Sequence, residues 1–198
     1  SWVQRGQSLN GEAGGDFLGR VSLSDGGDVI AIGSHPYDGN NQIAGFVRIY
    51  RWSEGIWRKL GADIPGQEIQ DYFGSALDLS RDGADVVIGA WGNDANGNRS
   101  GQVRVFSWDG ANWLKRGDDI NGKEESEHSG FQVGLSNDGL VVAVSAPGND
   151  DGGTSAGQVR VYAWSGSSWV QRGQSLNGEA EGDFLGRVSL SDGGDVIA

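Results

Sequence analysis

A chain of 198 residues with 36 glycines, three prolines and neither cysteine nor methionine has the make-up of many short strands joined by tight turns, in one sizeable domain or part of a larger one. Fifteen basic against 27 acidic residues give a formal charge of -12, which repels phosphate backbones and sets nucleic-acid partners aside. No apolar run approaches the roughly 18 residues a membrane span needs, and the missing cysteines remove disulfides, thiolate metal sites and cysteine nucleophiles.

In chain order, Trp2 opens a marker, W-x-x-x-G-x-x-[IL]-x-G, that returns at Trp57, Trp113 and Trp169. An apolar stretch near Leu18–Ser24 follows, then an Asp-Gly turn at Ser24–Gly27, then a second stretch near Asp28–Ser34. Asp-Gly between apolar runs is a hairpin signal, because glycine accepts positive φ and aspartate bonds its own backbone. The segment GFVRIYRW (Gly45–Trp52) returns as GQVRVFSW (Gly101–Trp108) and GQVRVYAW (Gly157–Trp164), each step being 56 residues. A short turn then leads to an outer strand near Trp57–Ile64. The first interval of the tryptophan marker is 55 because Gly11-Glu12 becomes Gly66-Gln67-Glu68. Four strands, a to d, thus recur in phase, and nowhere does a helical apolar rhythm persist.

Four antiparallel strands per unit of about this size predict an all-β chain, a β-propeller of four-stranded blades of about 56 residues. Residues 1–15 read as the outer strand of a preceding blade, 16–70, 71–126 and 127–182 as blades 1 to 3, and 183–198 as the start of a fourth. Residues 168–198 repeat 1–31 at an offset of 167, differing where Gly14 becomes Glu181. Either the chain is a window on a longer tandem array, or it is whole and two copies close a ring. A partial ring would expose strand edges, so completion is expected from further blades in the same chain or by homo-oligomerisation.

The tryptophans at 52, 108 and 164 lie one turn before those at 57, 113 and 169. Indoles in phase with the strands are expected to pack blade on blade, and Arg48, Arg104 and Arg160 to bond between blades. His35 and His128 occupy non-equivalent loop positions and read as exposed; no H-E-x-x-H or phosphate-cradling motif occurs. The b–c loops are the candidate site. They carry Asp38 and Asn40 in blade 1, Asn93, Asp94 and Asn96 in blade 2, and Asn149, Asp150 and Asp151 in blade 3. Several side-chain oxygens in a short glycine-bearing segment suit a hard cation, making Ca²⁺ the candidate cofactor. The same residues also suit an Asx turn that satisfies its own backbone.

Blade by blade the chain resembles the FG-GAP repeats of integrin alpha-chain propellers. The resemblance rests on Phe73-Gly74 with Gly89-Ala90-Trp91 in blade 2, Ser145-Ala146-Pro147 in blade 3, Leu18-Gly19 with Gly33-Ser34-His35 in blade 1, and the G-x-V-R-[IV]-[YF] element in all three. It implies a seven-bladed propeller, extracellular or on the cell surface, acting in adhesion or recognition. The family's calcium-binding a–b loop has shrunk here to a Ser-x-Asp-Gly hairpin, so its cation sites do not carry over, and Ser129-Gly130 replaces Phe-Gly in blade 3. The function expected is a non-catalytic scaffold that binds a protein or glycan ligand, or copies of itself, through its loops. A structural array forming a filament, matrix or surface layer is the alternative. A propeller glycosidase, for which the abundant carboxylates allow, is a distant third.

Overall fold

The structure, a computed structural model, describes residues 1–11, 16, 18–34 and 44–198. Among them there is no helix, and the strands form three antiparallel sheets of one design. Blade 1 runs β1 (Leu18–Leu23), β2 (Val29–Ser34), β3 (Phe46–Ser53), β4 (Ile56–Lys59) and β5 (Ile64–Pro65). Blade 2 runs β6 (Ala76–Leu79), β7 (Asp85–Ala90), β8 (Gln102–Trp108), β9 (Trp113–Lys115) and β10 (Ile120–Asn121). Blade 3 runs β11 (Val133–Leu135), β12 (Val141–Ala146), β13 (Gln158–Trp164), β14 (Trp169–Gln171) and β15 (Leu176–Asn177).

Each sheet is ordered a-b-c-d, and the outer strand expected as one run is broken in two. Both pieces pair with strand c, as β4 and β5 do with β3 through Trp52↔Trp57 and Val47↔Ile64. The break falls at Gly61, whose φ is +77°, and has a cause in the next blade. A Cβ on Gly61 would lie 2.6 Å from Trp108 Cζ3, and one on Gly117 would lie 2.6 Å from Trp164 Cζ3. The outer strand bends so that a bare Cα can seat against the neighbour's indole. Trp113 Nε1 donates to Leu60 O at 2.9 Å and Trp169 Nε1 to Arg116 O at 2.9 Å, so the paired indoles pack blade on blade, as expected from their phase.

The b strands read Val-Ile-Ala-Ile, Val-Val-Ile and Val-Val-Ala-Val without polar alternation because neighbouring blades cover both faces. Every residue of β12 is buried. One apolar cluster joins Val29, Ala31 and Ile49 of blade 1 to Phe73, Val86 and Ile88 of blade 2. A second joins Val87, Val103 and Val105 to Val133, Val142 and Val144 of blade 3. Burial at roughly 25 cal/mol per Å² makes these interfaces the main favourable contribution to the fold.

Polar contacts fix the spacing along the inner, a-strand side. In blade 2 the a–b turn closes on itself: Ser80 Oγ donates to Asp82 Oδ1 at 2.9 Å, and Asp85 N donates to Ser80 Oγ at 2.9 Å. The same turns then bond across blades, Asp25 N to Arg81 O at 3.1 Å, Arg81 N to Asn137 O at 3.0 Å and Asn137 N to Asp192 O at 2.8 Å. Asp78 on β6 spans three blades, accepting from Ser22 Oγ at 2.9 Å and from Leu135 N at 2.9 Å.

Residues 1–11 hold no strand. The outer strand expected within 1–15 is not formed in 1–11, whereas the same sequence at Trp169–Gln171 pairs with β13 through Trp164↔Trp169. The start of a fourth unit, within 183–198, carries the bridge Leu190↔Ile197 and is joined to blade 3 by Gly157↔Leu185.

Candidate functional site

The b–c loops and the d–a connections meet at one end of the blades. The described candidate cation ligands lie there, and one side-chain oxygen of each of Asn93, Asp94, Asn149, Asp150 and Asp151 accepts a hydrogen bond. Asn93 Oδ1 accepts Ala95 N at 3.0 Å and Asp94 Oδ1 accepts Arg99 N at 2.7 Å. In blade 3, Asn149 Oδ1 accepts Asp151 N at 3.1 Å and Asp150 Oδ1 accepts Ser155 N at 2.7 Å. Asn96 Nδ2 donates to Gly122 O at 2.6 Å, and Asp151 Oδ2 accepts Gln158 Nε2 at 2.7 Å. Asp38 and Asn40, like His35, lie outside the described residues. Among the described residues no three carboxylate or imidazole groups gather, so these loops have the geometry of self-capped Asx turns.

Beneath them sits a buried polar frame. The strand-c arginines were expected to bond between blades; instead the described partners of each, Asp63, Phe73 and Glu127, lie within its own blade. Arg48 makes a two-point contact with Asp63, at 2.9 Å and 2.8 Å, which holds the Asp63 carboxyl below its ordinary range. Arg104 lies 4.2 Å over the Phe73 ring, and burial lowers its proton affinity. Arg160, 1% exposed, pairs with the buried Glu127 and takes Gln158 Oε1 at 2.5 Å. Asp71 and Glu127 also accept from Asn93 Nδ2 at 2.8 Å and Asn149 Nδ2 at 3.2 Å, and so pin the first residue of each loop.

On this frame stand residues that break the repeat. Capping by Asp94 turns the chain at Arg99 (φ 52°), and the d–a connections leading into blade 2, blade 3 and the fourth unit each carry an aromatic ring at positive φ: Tyr72 (55°), His128 (57°) and Phe184 (49°). Tyr72 stacks on Trp91 with ring centres 4.3 Å apart and planes 6° apart. His128 meets Trp91 edge-on at 5.4 Å, and the Arg99 guanidinium lies 6.0 Å over the same indole. His128, read from sequence as an exposed loop residue, is half-buried, and burial first and the Arg99 charge second push its imidazole below the ordinary value, leaving it neutral at pH 7.

Between blades 2 and 3 these groups open a cleft of about 690 Å³, lined by Trp91, Arg99, His128, Phe131, Pro147, Phe184 and Arg187 among others, with Glu125 and Asp150 on its rim. Phe131 and Phe184 are 45% and 62% exposed, so the cleft offers flat apolar faces beside two guanidinium groups. Such a surface can stack on a ring and orient it with charged hydrogen bonds. A polar hollow of about 730 Å³ adjoins it, sharing Arg99 and lined by Glu68, Asp71, Asn93, Asp94 and Gln102; burial raises the Asp71 carboxyl there.

Sequence reasoning missed this cleft, although two signals for it exist. Trp91 is the one tryptophan of eight outside the two paired registers, and Tyr72, His128 and Phe184 recur at 56-residue steps with a ring at each.

The FG-GAP repeat family profile matches residues 66–106, which span β6 to β8 and include Trp91 and Arg99. No curated protein matches the chain in sequence. Among solved structures it is similar to a hypothetical selenium-binding protein from Sulfolobus tokodaii, with TM-score 0.55, 10% identity, and 81% of this chain covering 41% of that one. It is similar also to a putative 6-phosphogluconolactonase from Bacteroides uniformis, with TM-score 0.56, 12% identity and coverage of 91% and 46%. The β-propeller domain of the Trilobed protease from Pyrococcus furiosus aligns with TM-score 0.46 at 10% identity, over 81% and 42%. The chain spans less than half the length of each of these structures. With that profile on blade 2 and the same strands, turns and tryptophan pairs in the blades beside it, the chain is a run of β-propeller blades of which residues 66–106 match the FG-GAP repeat.

Proposed function

We propose that the chain is a non-catalytic recognition scaffold, displayed outside the cell or on its surface, that holds a protein or glycan ligand in the cleft between blades 2 and 3. The observation that carries this reading is the contrast between frame and cleft. The blades share their frame residues, the Asp-Gly turns, the G-x-V-R element and the tryptophan pairs, whereas Trp91, Arg99 and Phe131 stand where the neighbouring blade has Pro147, Ser155 and Ser75. Loops on a rigid frame are where binding residues collect. Exposed rings flanked by arginine suit sugar faces and peptide side chains better than bond-breaking chemistry, which needs convergent acid, base and nucleophile groups. The extracellular placement draws on the FG-GAP family. The enzyme names of the solved neighbours lend no support to catalysis, since identities of 10–12% speak for the fold alone.

A structural array is the second reading, favoured by the near-identity of residues 1–31 and 168–198. Glycan and peptide arrays probed with the labelled chain, followed by calorimetry on the hits, separate the two. The first reading expects a saturable ligand whose affinity drops about tenfold or more in Trp91→Ala and Arg99→Ala, equivalent to about 1.4 kcal/mol, with melting unchanged. Ligands indifferent to both substitutions, or none alongside filaments under the electron microscope, would reject it.

A further inference from the structure

We infer that the polar hollow of blade 2 is a sugar subsite, so that the ligand is a neutral glycan with one ring on the aromatic faces of the cleft and the next ring in the hollow. The inference rests on the reading of the cleft as a binding site and chooses the glycan over the protein as its occupant.

The hollow lies where blade 2 departs from blade 3. In blade 3 the corresponding side chains close on one another. Arg160 Nε donates to Gln158 Oε1 at 2.5 Å, Arg160 Nη2 pairs with Glu127, and Gln158 Nε2 donates to Asp151 Oδ2 at 2.7 Å. Blade 2 keeps the glutamine and the arginine, as Gln102 and Arg104, but has Asp71 and Ala95 in place of Glu127 and Asp151. Arg104 lies over the Phe73 ring, the shorter Asp71 takes Asn93 Nδ2, and Ala95 offers Gln102 no side-chain oxygen. The network that blade 3 closes is therefore open in blade 2. Gln102 is 4% exposed and lines the hollow; its Nε2 donates to Asn121 Oδ1 at 3.0 Å, while its Oε1 has no partner. Nε and Nη2 of Arg104, two residues along the same strand, have none either.

These unmet groups are of both kinds, an acceptor on Gln102 and donors on Arg104, and a hydroxyl is donor and acceptor at once. An ammonium group only donates, and it would add a positive charge beside Arg99 and Arg104. A carboxylate only accepts, and it would face Glu68, Asp71 and Asp94. Among the described residues no three carboxylates gather closely enough to hold a metal ion. The exposed rim repeats the mixture, with the carboxylates of Glu68 and Asp94 beside the Arg99 guanidinium and the Gln70 amide. Acceptors next to planar donors suit neighbouring hydroxyls on one ring. Arg99 belongs to both cavities and stands over Trp91, so a chain of sugars stacked on Phe131 and Phe184 runs past that guanidinium into the hollow. A volume of about 730 Å³ is ample for a pyranose ring.

An array of neutral glycans, followed by calorimetry with the oligosaccharides that bind, tests this on the full chain and on three variants. Gln102→Leu removes the unpartnered oxygen at nearly constant volume. Asp71→Glu places blade 3's own residue in the floor, so the fold is kept while the longer carboxylate occupies the space of a hydroxyl. Trp91→Ala reports on the cleft alone. The expected result is saturable binding of a neutral oligosaccharide, weakened about tenfold or more by Gln102→Leu and by Asp71→Glu, with melting unchanged in Asp71→Glu. Sugar binding lost in Trp91→Ala yet indifferent to both hollow variants overturns the inference and leaves the cleft reading standing. Binding lost in the hollow variants yet indifferent to Trp91→Ala supports the hollow as the sugar site and rejects the cleft. An array without a neutral glycan that binds overturns the inference, and so does Nα-acetyllysine amide binding where no sugar does.

Discussion

Replacing Phe73 by serine, the residue that blade 3 carries at the equivalent position 129, removes a fully buried ring from the interface of blades 1 and 2. Loss of a buried phenylalanine costs about 3–5 kcal/mol. Arg104, 4.2 Å above the ring, loses a desolvated cation–π contact of about 1–2 kcal/mol. The expected destabilisation, about 5 kcal/mol from the two contributions, is a large share of what a domain of this size possesses. Blade 3 shows how the chain tolerates serine there. Its Glu127, one methylene longer than Asp71, reaches Arg160 directly, where the shorter Asp71 makes no ion pair with Arg104. Asp71→Glu should therefore recover about 2 kcal/mol in the Phe73→Ser background, the worth of a charge-assisted bond between groups already buried, and little in the parent, where the ring holds the guanidinium. Urea unfolding followed by tryptophan fluorescence and circular dichroism on the four members of the cycle measures the coupling. Phe73→Leu, blade 1's residue at this position, provides a folded reference costing below about 1.5 kcal/mol. Effects that add to within about 0.5 kcal/mol would refute the idea that ring and carboxylate are alternative partners of one arginine.

Gly117→Ala, whose Cβ would meet Trp164 at 2.6 Å, should lower stability by about 2 kcal/mol more than Gly173→Ala, which bears the same positive φ and meets nothing; thermal melts of both isolate the packing contribution. His128 is held neutral by burial and by Arg99, so its folded-state pKa lies below the unfolded value. The stability it confers is present above about pH 6.5 and falls away as pH drops through the lower folded value. A melting-temperature profile from pH 7.5 to 5 should show that loss in the parent and a shallower one in His128→Phe. Asp94→Ala and Asp150→Ala each remove the cap of one loop amide and should cost about 1 kcal/mol, equally with chelator and with Ca²⁺; a calcium-dependent gain in the parent that both substitutions abolish would place a cation in these loops instead.

The blade was legible because its signals are local or periodic. Asp-Gly hairpins, apolar b strands and the G-x-V-R element each declare a strand or a turn within a few residues, and the 56-residue step aligns them. What stayed hidden depends on a neighbour. The split of the outer strand at Gly61 exists because Trp108 of the next blade fills the space above it. The strand-c arginines look equivalent in sequence yet take three different partners, set by whether Asp63, Phe73 or Glu127 is within reach. The b–c loops drew attention for their oxygens, of which one each on Asn93, Asp94, Asn149 and Asp150 caps an amide of its own loop. The cleft went unseen because Tyr72, Trp91 and His128 each resemble an ordinary loop residue until folding stacks them.

Side-by-side packing of blades about a common axis makes one demand that independent or linearly strung sheets would not. Amides at the tips of solvent-facing hairpins must be bonded to the next hairpin, as Arg81 N is to Asn137 O and Asn137 N to Asp192 O. Residue-resolved hydrogen exchange should find these two turn amides protected to a degree comparable with the buried b strands, and losing protection together with them as denaturant is added. Exchange at the rate of an open turn, with the strands still protected, would contradict the arrangement of blades described above.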